Sequence, residues 1–427
     1  MLRVKVLAPA FAFLVATSLD AHAVSLTLSG NGAAVRVEDA QAVYASDNNG
    51  VASLITGAGM RLHDGSLVLQ AGVPSMMPDG RVIFGAETQP AGSKSKPRWN
   101  IYIGNADAVP SHRVIPSLRK GAAAAGCAPV FVGDPYPVAD NDGGIAFMAA
   151  QEHRGDALFY YSHGSLKCLA TAGARTNQGH RIEVLSFGSP QMGADGQVVF
   201  NAFLSSRDDG PADAHRQALL IASPGHGIDE LAVEGEFGPN HTRYERPFGL
   251  PAAAVSARGT IAAFTARTPA GAALFVYDGK DMVRVLPTGT LSPIGPVSYL
   301  SPGRPGLMPD GTAAVLAACA KMPAIFRLSH QRLDLRIQRG YMTPLGAELE
   351  SLGDPILTAS GSMFIGATDS DGRERLYVLS KNDAFFEIGV PALLFQISYS
   401  SRSRSHSIFT GTLTVNQHGD FGYLGGE

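Results

Sequence analysis

Residues 140–147, Asp-Asn-Asp-Gly-Gly-Ile-Ala-Phe, set two carboxylates and an amide ahead of paired glycines. Side-chain oxygens at that density could open a calcium loop, and paired glycines could cradle a phosphate. A second cluster lies at 240–249, NHTRYERPFG, where His241, Arg243, Tyr244, Glu245 and Arg246 crowd together. Arg and Tyr suit a carboxylate or a sugar, and a His beside a Glu can do acid–base work. Adjacent residues of an extended segment point to opposite faces, however, so these five could not all meet one substrate. A salt bridge between neighbouring blades is the favoured account of them. Ser117-Leu-Arg-Lys120 matches SxxK, yet it sits in a strand-like stretch without the companion motifs. No GxSxG or HExxH is present, and the histidines are scattered.

The elements that must carry these residues follow from repetition. Aligned on Gly143 and on the apolar residue four places later, DNDGGIAF has relatives in MPDGRVIF (Gly80), GADGQVVF (Gly196), SARGTIAA (Gly259), MPDGTAAV (Gly311), TASGSMFI (Gly361) and NQHGDFGY (Gly419). Their glycines fall roughly 50–60 residues apart. In SARGTIAA the register pairs Gly259 with Ala263 and leaves Phe264 one place late. A Gly-x-Pro precedes all but the final copy, from Gly72/Pro74 to Gly353/Pro355. Each copy but the last is followed by a short apolar strand such as Leu158-Phe159-Tyr160, a tight polar turn, and another strand ending at a glycine: Gly121, Gly173, Gly235, Gly289, Gly340 or Gly389. Dense Gly and Pro punctuation between short β-branched and aromatic runs excludes helical repeats. About four strands per unit of this length is one blade of a propeller. In that setting DNDGGIAF is the turn that launches a strand. Asp and Asn bond their own backbone there, Gly takes φ > 0, and Ile145 and Phe147 alternate onto a buried face. MPDG and TASG lack the oxygens calcium needs, and no strand–glycine loop–helix unit exists for a phosphate.

The chain is thus expected to be all-β: one seven-bladed propeller over residues 24–427, with eight blades as the alternative if Asn49-Gly50 marks a unit of its own. Residues 62–72 read as the second half of a unit whose first half is 416–426, so the two ends would close one blade and remove exposed sheet edges. Residues 1–23 read as a cleaved secretory leader. Arg3 and Lys5 are basic, Val6–Thr17 is apolar but too short to span a bilayer, and Ala21-His22-Ala23 fits a cleavage site. The mature protein is then exported, periplasmic or extracellular, and without a membrane span. Of three cysteines, Cys127 and Cys168 could form a bridge; three buried free thiols are the other reading. A formal charge of −3 among 17% charged residues gives no pull toward nucleic acid.

The units resemble the bacterial exported choice-of-anchor tandem-repeat NxxGxxAF-containing proteins, on DNDGGIAF, GADGQVVF, SARGTIAA and NQHGDFGY and on the strand-plus-glycine tails. Asn416 matches the Asn of that motif and Asp140 is close, whereas Met77, Gly193, Ser256, Met308 and Thr358 depart from it. The resemblance implies export and carries no assigned chemistry.

On such a scaffold the variable loops after the motif strands should share one face: Thr88–Trp99, Gln151–Asp156, Ser205–Arg216, Arg267–Ala270, Lys321–Met322 and Asp369–Glu374. Loops on a rigid scaffold commonly carry function. The candidate binding residues are therefore Arg98, Trp99, His153, Arg154, Asp156, His215, Arg243, Tyr244, Arg246, Asp371 and Arg373. The expected function is that of a non-catalytic, monomeric binding protein for a protein or glycan ligand, with no cofactor beyond the calcium alternative. The competing reading is a polysaccharide-acting hydrolase or lyase whose residues converge at the channel mouth, invisible as a linear motif. The basic run SRSRSHS, 401–407, reads as a loop of the last blade.

Overall fold

The computed structural model describes residues 51–76, 81–92, 95–105, 108–114, 129–131, 133–140, 142–151, 155–185, 190–205, 215–329, 332–357, 361–372 and 374–387, with strand backbone at 4–5, 24–29, 32–37, 42–47, 414–415 and 421–422. Of the sequence-derived features, His153, Arg154, Arg373, Cys127, SxxK and SRSRSHS lie outside the described residues.

Each repeat builds one antiparallel sheet in chain order. Unit 2 shows the pattern: a first strand split into Pro129–Val130 and Val138–Ala139, the motif strand Ile145–Gln151, then Gly155–Ser162 and Ser165–Thr171. Units 3 to 6 repeat it, with motif strands Val198–Ser205, Gly259–Thr268, Ala313–Cys319 and Met363–Asp369. The motif glycines do what the turn reading requires. Gly143, Gly196, Gly259, Gly311 and Gly361 have φ of 79°, 71°, 104°, 83° and 89°, a region that costs an L side chain strain.

The aromatic of the motif then meets an aromatic or aliphatic residue directly across on the third strand. Phe84 pairs with Tyr102, Phe147 with Phe159, Phe264 with Phe275, and Val315 with Phe326. The first three are stacked rings 6.0, 5.3 and 5.5 Å apart. In unit 4, therefore, Phe264 and not Ala263 fills the aromatic slot. A tight hairpin pairs Ser256 with Gly259, so that glycine already belongs to the strand and the register moves by one.

Sheets pack face to face, and the core lies between them. One cluster joins Phe147 and Phe159 of unit 2 to Ile83 and Ile101 of unit 1, and another joins Phe264 and Phe275 to Val199 and Leu219 of unit 3. The short inner strands Val138–Ala139, Gln191–Met192, Ala252–Ser256, Gly306–Leu307 and Ile356–Leu357 lie each beside the next. Sheets radiating from such an inner row form a β-propeller. In units 2, 4, 5 and 6 the Gly-x-Pro signals sit at the splits of the first strands, where neighbouring units nearly touch, and in unit 1 Gly72 and Pro74 lie within Leu67–Met76 at a register shift. A Cβ on Gly303 would fall 1.6 Å from the Asp354 carboxylate, and Leu250 N donates to Pro302 O at 3.0 Å.

The ends are arranged differently from expectation. Leu67–Met76 is the first strand of unit 1, paired with Val82–Gln89, and not half of a shared blade. The terminal strands Thr414–Val415 and Phe421–Gly422 instead extend a sheet made by residues 24–57, with Leu28 opposite Phe421. In LHDGSLVLQAG the segment before Leu67 is the connection between sheets, whereas in SHGSLKCLATAG residues 162–171 lie within one sheet and only Ala172-Gly173 begin the next connection. Among the described residues the strands fall into seven sheets. Val4–Lys5, within the expected leader, pairs with Val51 and Ala52.

The connections between units share one frame, here called the cap. Its first glycine donates backbone N–H to the incoming strand: Gly59 to Val68, Gly173 to Ile182, Gly235 to Tyr244, Gly289 to Val297 and Gly340 to Leu349, at 2.7–2.8 Å. Four of them, Gly173, Gly235, Gly289 and Gly340, are strand-ending glycines visible in the sequence; Gly59 is not among those, and Gly121 and Gly389 lie outside the described residues. The caps and the motif-strand hairpin tips lie at the same end of the sheets, since Ala172 N bonds Asp156 O and Ser370 N bonds Glu348 O.

Candidate functional site

The Asp140 turn is fully engaged. Its Oδ1 accepts from the N–H of Asp142 at 3.0 Å and of Gly144 at 2.6 Å, and its Oδ2 accepts from the Tyr160 hydroxyl at 2.9 Å. The Tyr160 ring then covers Gly196 of unit 3, where a Cβ would lie 2.7 Å from it. Burial, with the Asp140 contact adding to it, pushes the phenol up to about 12. Both Asp140 oxygens are thus engaged within unit 2, which is the turn role, while the Tyr160 ring carries the contact to unit 3.

The other candidates are dispersed. Arg98 is exposed and Trp99 half-buried opposite Glu87 in unit 1. Asp156 of unit 2 is half-buried, and burial raises its carboxyl. Asp371 is exposed in a turn where its N–H donates to Asp369 Oδ1 at 3.0 Å. Tyr244 is not on the surface: it is 3% exposed and packs among Phe248, Phe264 and Phe275, with centroids 5.8, 6.2 and 5.0 Å away. Alternation turned it inward beside the exposed Arg243, and Arg246 is exposed where the strand register shifts between Glu245 and Phe248. Its hydroxyl is buried without a partner, and burial raises its pKa.

Two candidates do meet. Arg246 donates through Nε to Glu234 Oε2 at 2.5 Å and through a terminal nitrogen to the His215 carbonyl. Glu234 also accepts from Gln217 N at 2.9 Å. Arg243 bonds the Gly235 carbonyl at 3.0 Å, tying down its own cap.

Beside this seam lies the most organised polar cluster of the described residues, which sequence reading missed. His180 is 3% exposed, and its Nδ1 lies 2.8 and 2.9 Å from the two Glu230 oxygens. The Glu230 side chain is 4% exposed and also accepts from the Thr176 hydroxyl. Arg216 donates to His180 Nε2 and lies 3.5 Å from Glu236 Oε1. With Nδ1 facing a carboxylate and Nε2 receiving a guanidinium hydrogen, the imidazole is held as the Nδ1–H tautomer. His180, Glu230 and Glu236 offer ligand atoms within 4.8 Å of one another. The guanidinium already occupies the place where a cation would meet Nε2, so the cluster carries its own positive charge.

The available signal was departure from the repeat. His180 stands where other caps carry Ser66, Thr242 and Ala347, each just before the bridging residue. Glu230 stands opposite Leu220, where other fourth strands carry Arg113, Cys168, Arg284 and Leu335. The pair changes chemistry from unit to unit. In unit 4 Arg284 donates to Thr242 at 3.2 Å. In unit 2 Cys168 is disulfide-bonded; Cys319 is a buried free thiol, which leaves Cys127 as the remaining cysteine of the sequence.

A further buried charge sits on the inner row. Arg304 Nε donates to Pro251 O at 2.9 Å, and Asp354 is bonded by Ser301. Burial pushes Asp354 up to about 6 and Arg304 down to about 10. The Asp354 carboxyl is surrounded by protein yet keeps some accessible surface, as a group on an internal wall does.

The model of a family of unknown function, DUF7453, matches residues 22–375. The chain belongs to this family. No curated protein matches this DUF7453 member. Among solved structures it is similar to the β-propeller domain of the Trilobed protease from Pyrococcus furiosus, described as having an open velcro topology: TM-score 0.50, 10% identity, over 86% of this chain and 98% of that one. The acylaminoacyl peptidase of Pyrococcus horikoshii matches at TM-score 0.42 and 12% identity over 74% of this chain, which covers 45% of that enzyme's length. A six-bladed fucose-recognising lectin from Aleuria aurantia matches at TM-score 0.34 and 9% identity, over 77% of this chain and 98% of the lectin. At such identities the likeness concerns the fold alone.

Proposed function

We propose that this protein is an exported, non-catalytic propeller that works by binding, through the face that carries the caps and hairpin tips. One observation carries the reading. Two residues after each cap glycine, the units display Arg61, Arg175, Phe237, Leu291 and Met342, all exposed, on the same hydrogen-bonded frame. A fixed backbone with a freely varied side chain at one surface position is how a rigid scaffold carries recognition. Export is supported by the leader-like start and by the disulfide at Cys168, which an oxidising compartment maintains. A seven-bladed ring is supported by the sheet that N- and C-terminal strands share. The likeness to exported NxxGxxAF repeat proteins fits the same reading.

The alternative is a polysaccharide-acting hydrolase or lyase, and the buried His180–Glu230 dyad is what favours it: a carboxylate-oriented imidazole is half of a general base. Against it, His180 Nε2 is already accepting from Arg216. The test is a glycan array with the purified secreted protein, alongside release of reducing ends from the same glycans. Binding lost in Arg175→Glu or Phe237→Asp supports the binder. Glycan cleavage abolished by His180→Ala would replace it with the enzyme.

A further inference from the structure

The caps divide into two kinds. Those of units 1 and 3 carry Arg61 and Arg175, each folded back onto a cap carbonyl, Gly65 O at 3.0 Å and Gly179 O at 2.9 Å. Those of units 5 and 6, GTLSPIGP (289–296) and GYMTPLGA (340–347), contain no charged residue. There Leu291 is 80% exposed, Leu345 70% and Met342 52%, and Phe237 of the unit 4 cap is 71% exposed. Successive units share this register, so the apolar side chains form an arc along one side of the face. The hairpin tip bearing Met322, 42% exposed, adjoins it, because Arg339 N bonds Pro323 O at 3.0 Å just before the unit 6 cap. Apolar side chains grouped this way on a soluble surface mark a contact.

We propose that this arc is a self-association surface, and that its partner is a second copy of this chain. The proposal rests on the cap face being a recognition surface and names the partner of its apolar part. The argument is charge. Among the described residues, the exposed ionic groups bordering the two uncharged caps are Arg267, Lys321 and Arg339 against Glu348, Glu350 and Asp371, equal in number and opposite in sign. In a two-fold contact the same patch meets itself, so a patch of one sign would repel its copy, whereas a balanced rim around an uncharged centre pairs with itself. An anionic lipid surface calls for an excess of Lys and Arg around the apolar residues, which this rim lacks. A glycan calls for directed polar groups and stacked aromatics, and these two caps offer mainly aliphatic side chains.

The experiment is sedimentation velocity on the purified full chain over a wide concentration range, with vesicle flotation on phosphatidylglycerol membranes in parallel. The wild type is expected to form a dimer. Leu291→Asp combined with Met342→Asp is expected to weaken it at least tenfold while leaving the circular-dichroism melt in place. Arg175→Asp, at the same cap position in unit 3, should stay dimeric, which separates this surface from ligand binding by the Arg-bearing caps. A wild type that stays monomeric at all concentrations, a dimer untouched by the double substitution, or a monomer that floats with the vesicles would each overturn the proposal.

Discussion

The unit 3 cap and the unit 6 cap are the same object in backbone terms. Gly173 and Gly340 make the same bond to the incoming strand, at 2.7 and 2.8 Å, and Thr176 and Thr343 are both buried and accept from the N–H four residues on. Their side chains have gone opposite ways. Cap 3 drives His180 onto Glu230 and Arg216, while cap 6 has Ala347 there and spreads Met342 and Leu345 into solvent. The frame, then, is held by backbone hydrogen bonds and the glycine conformation, and the side chains are left to do something else. In cap 3 they lock the cap to the fourth strand; in cap 6 they face outward.

That contrast should break most visibly where the lock is polar and buried. Glu230→Ala leaves the His180 Nδ1–H without its acceptor, and removing one partner of a buried pair costs about 3–5 kcal/mol. Chemical denaturation should place Glu230→Ala near the low end of that range, because the Thr176 hydroxyl keeps the His180 carbonyl as an acceptor at 3.3 Å. Loss below about 1 kcal/mol would mean that the lock is ornamental and the two caps are alike.

The second test sets Glu230, held by His180 and Thr176, against a buried carboxylate on the inner row whose burial outweighs its Ser301 and Arg304 contacts. Asp354 has its pKa raised in the folded protein to about 6. The folded state therefore holds this proton more tightly than the unfolded chain, so the stability it contributes is complete below pH 4 and is lost as pH rises through about 6. Asp354→Asn removes the titration. The stability of the wild type relative to that variant should fall by roughly 2 kcal/mol between pH 4 and pH 7, at 1.36 kcal/mol per unit. A difference that stays flat across that interval would show the carboxyl to be solvated.

The third test addresses what the caps share. Gly173 and Gly340 sit at φ of 85° and 82°. Alanine at either position should cost about 1–2 kcal/mol from backbone strain. The two losses, read from thermal melts, should agree within error, since the frame ignores what its side chains do. A cost at cap 3 alone would make the frame dependent on the polar lock.

The frame was legible in the sequence and the lock was not. Glycines at 173, 235, 289 and 340 recur because only φ > 0 closes the cap, and the motif aromatics recur because each meets a ring or an aliphatic chain across the strand. Both are local demands that repeat with the unit, so one sequence displays them several times over. His180, Glu230 and Arg216 come from a cap, a fourth strand and a third strand; His180 and Glu230 each occur once at their register position, and Arg216 shares its position only with Arg98 among the described units. A residue that matters by differing from its repeat equivalents becomes visible only after the register is known, and DNDGGIAF fixed that register only to within one residue in unit 4. Tyr244 shows the opposite failure. Its neighbours Arg243 and Arg246 made it look like part of a polar cluster, but alternation placed its ring in the core between units 3 and 4.

The smallest expected effect is the most discriminating. Leu291→Asp introduces a charge at a site that is 80% exposed. If the unit 5 cap serves only to connect two sheets, Leu291 is an incidental surface residue, and its replacement should change neither stability nor association, since such substitutions shift stability within about ±0.5 kcal/mol. If the apolar caps were kept for contact, stability of the monomer should still be unchanged while association falls. Denaturation of the single variant, measured well below the concentration at which the wild type self-associates, separates the two quantities. A stability loss beyond 1 kcal/mol there would place Leu291 among the residues that hold the fold. The difference between polar and apolar caps would then be one of packing, and the outward-facing caps would have no separate role.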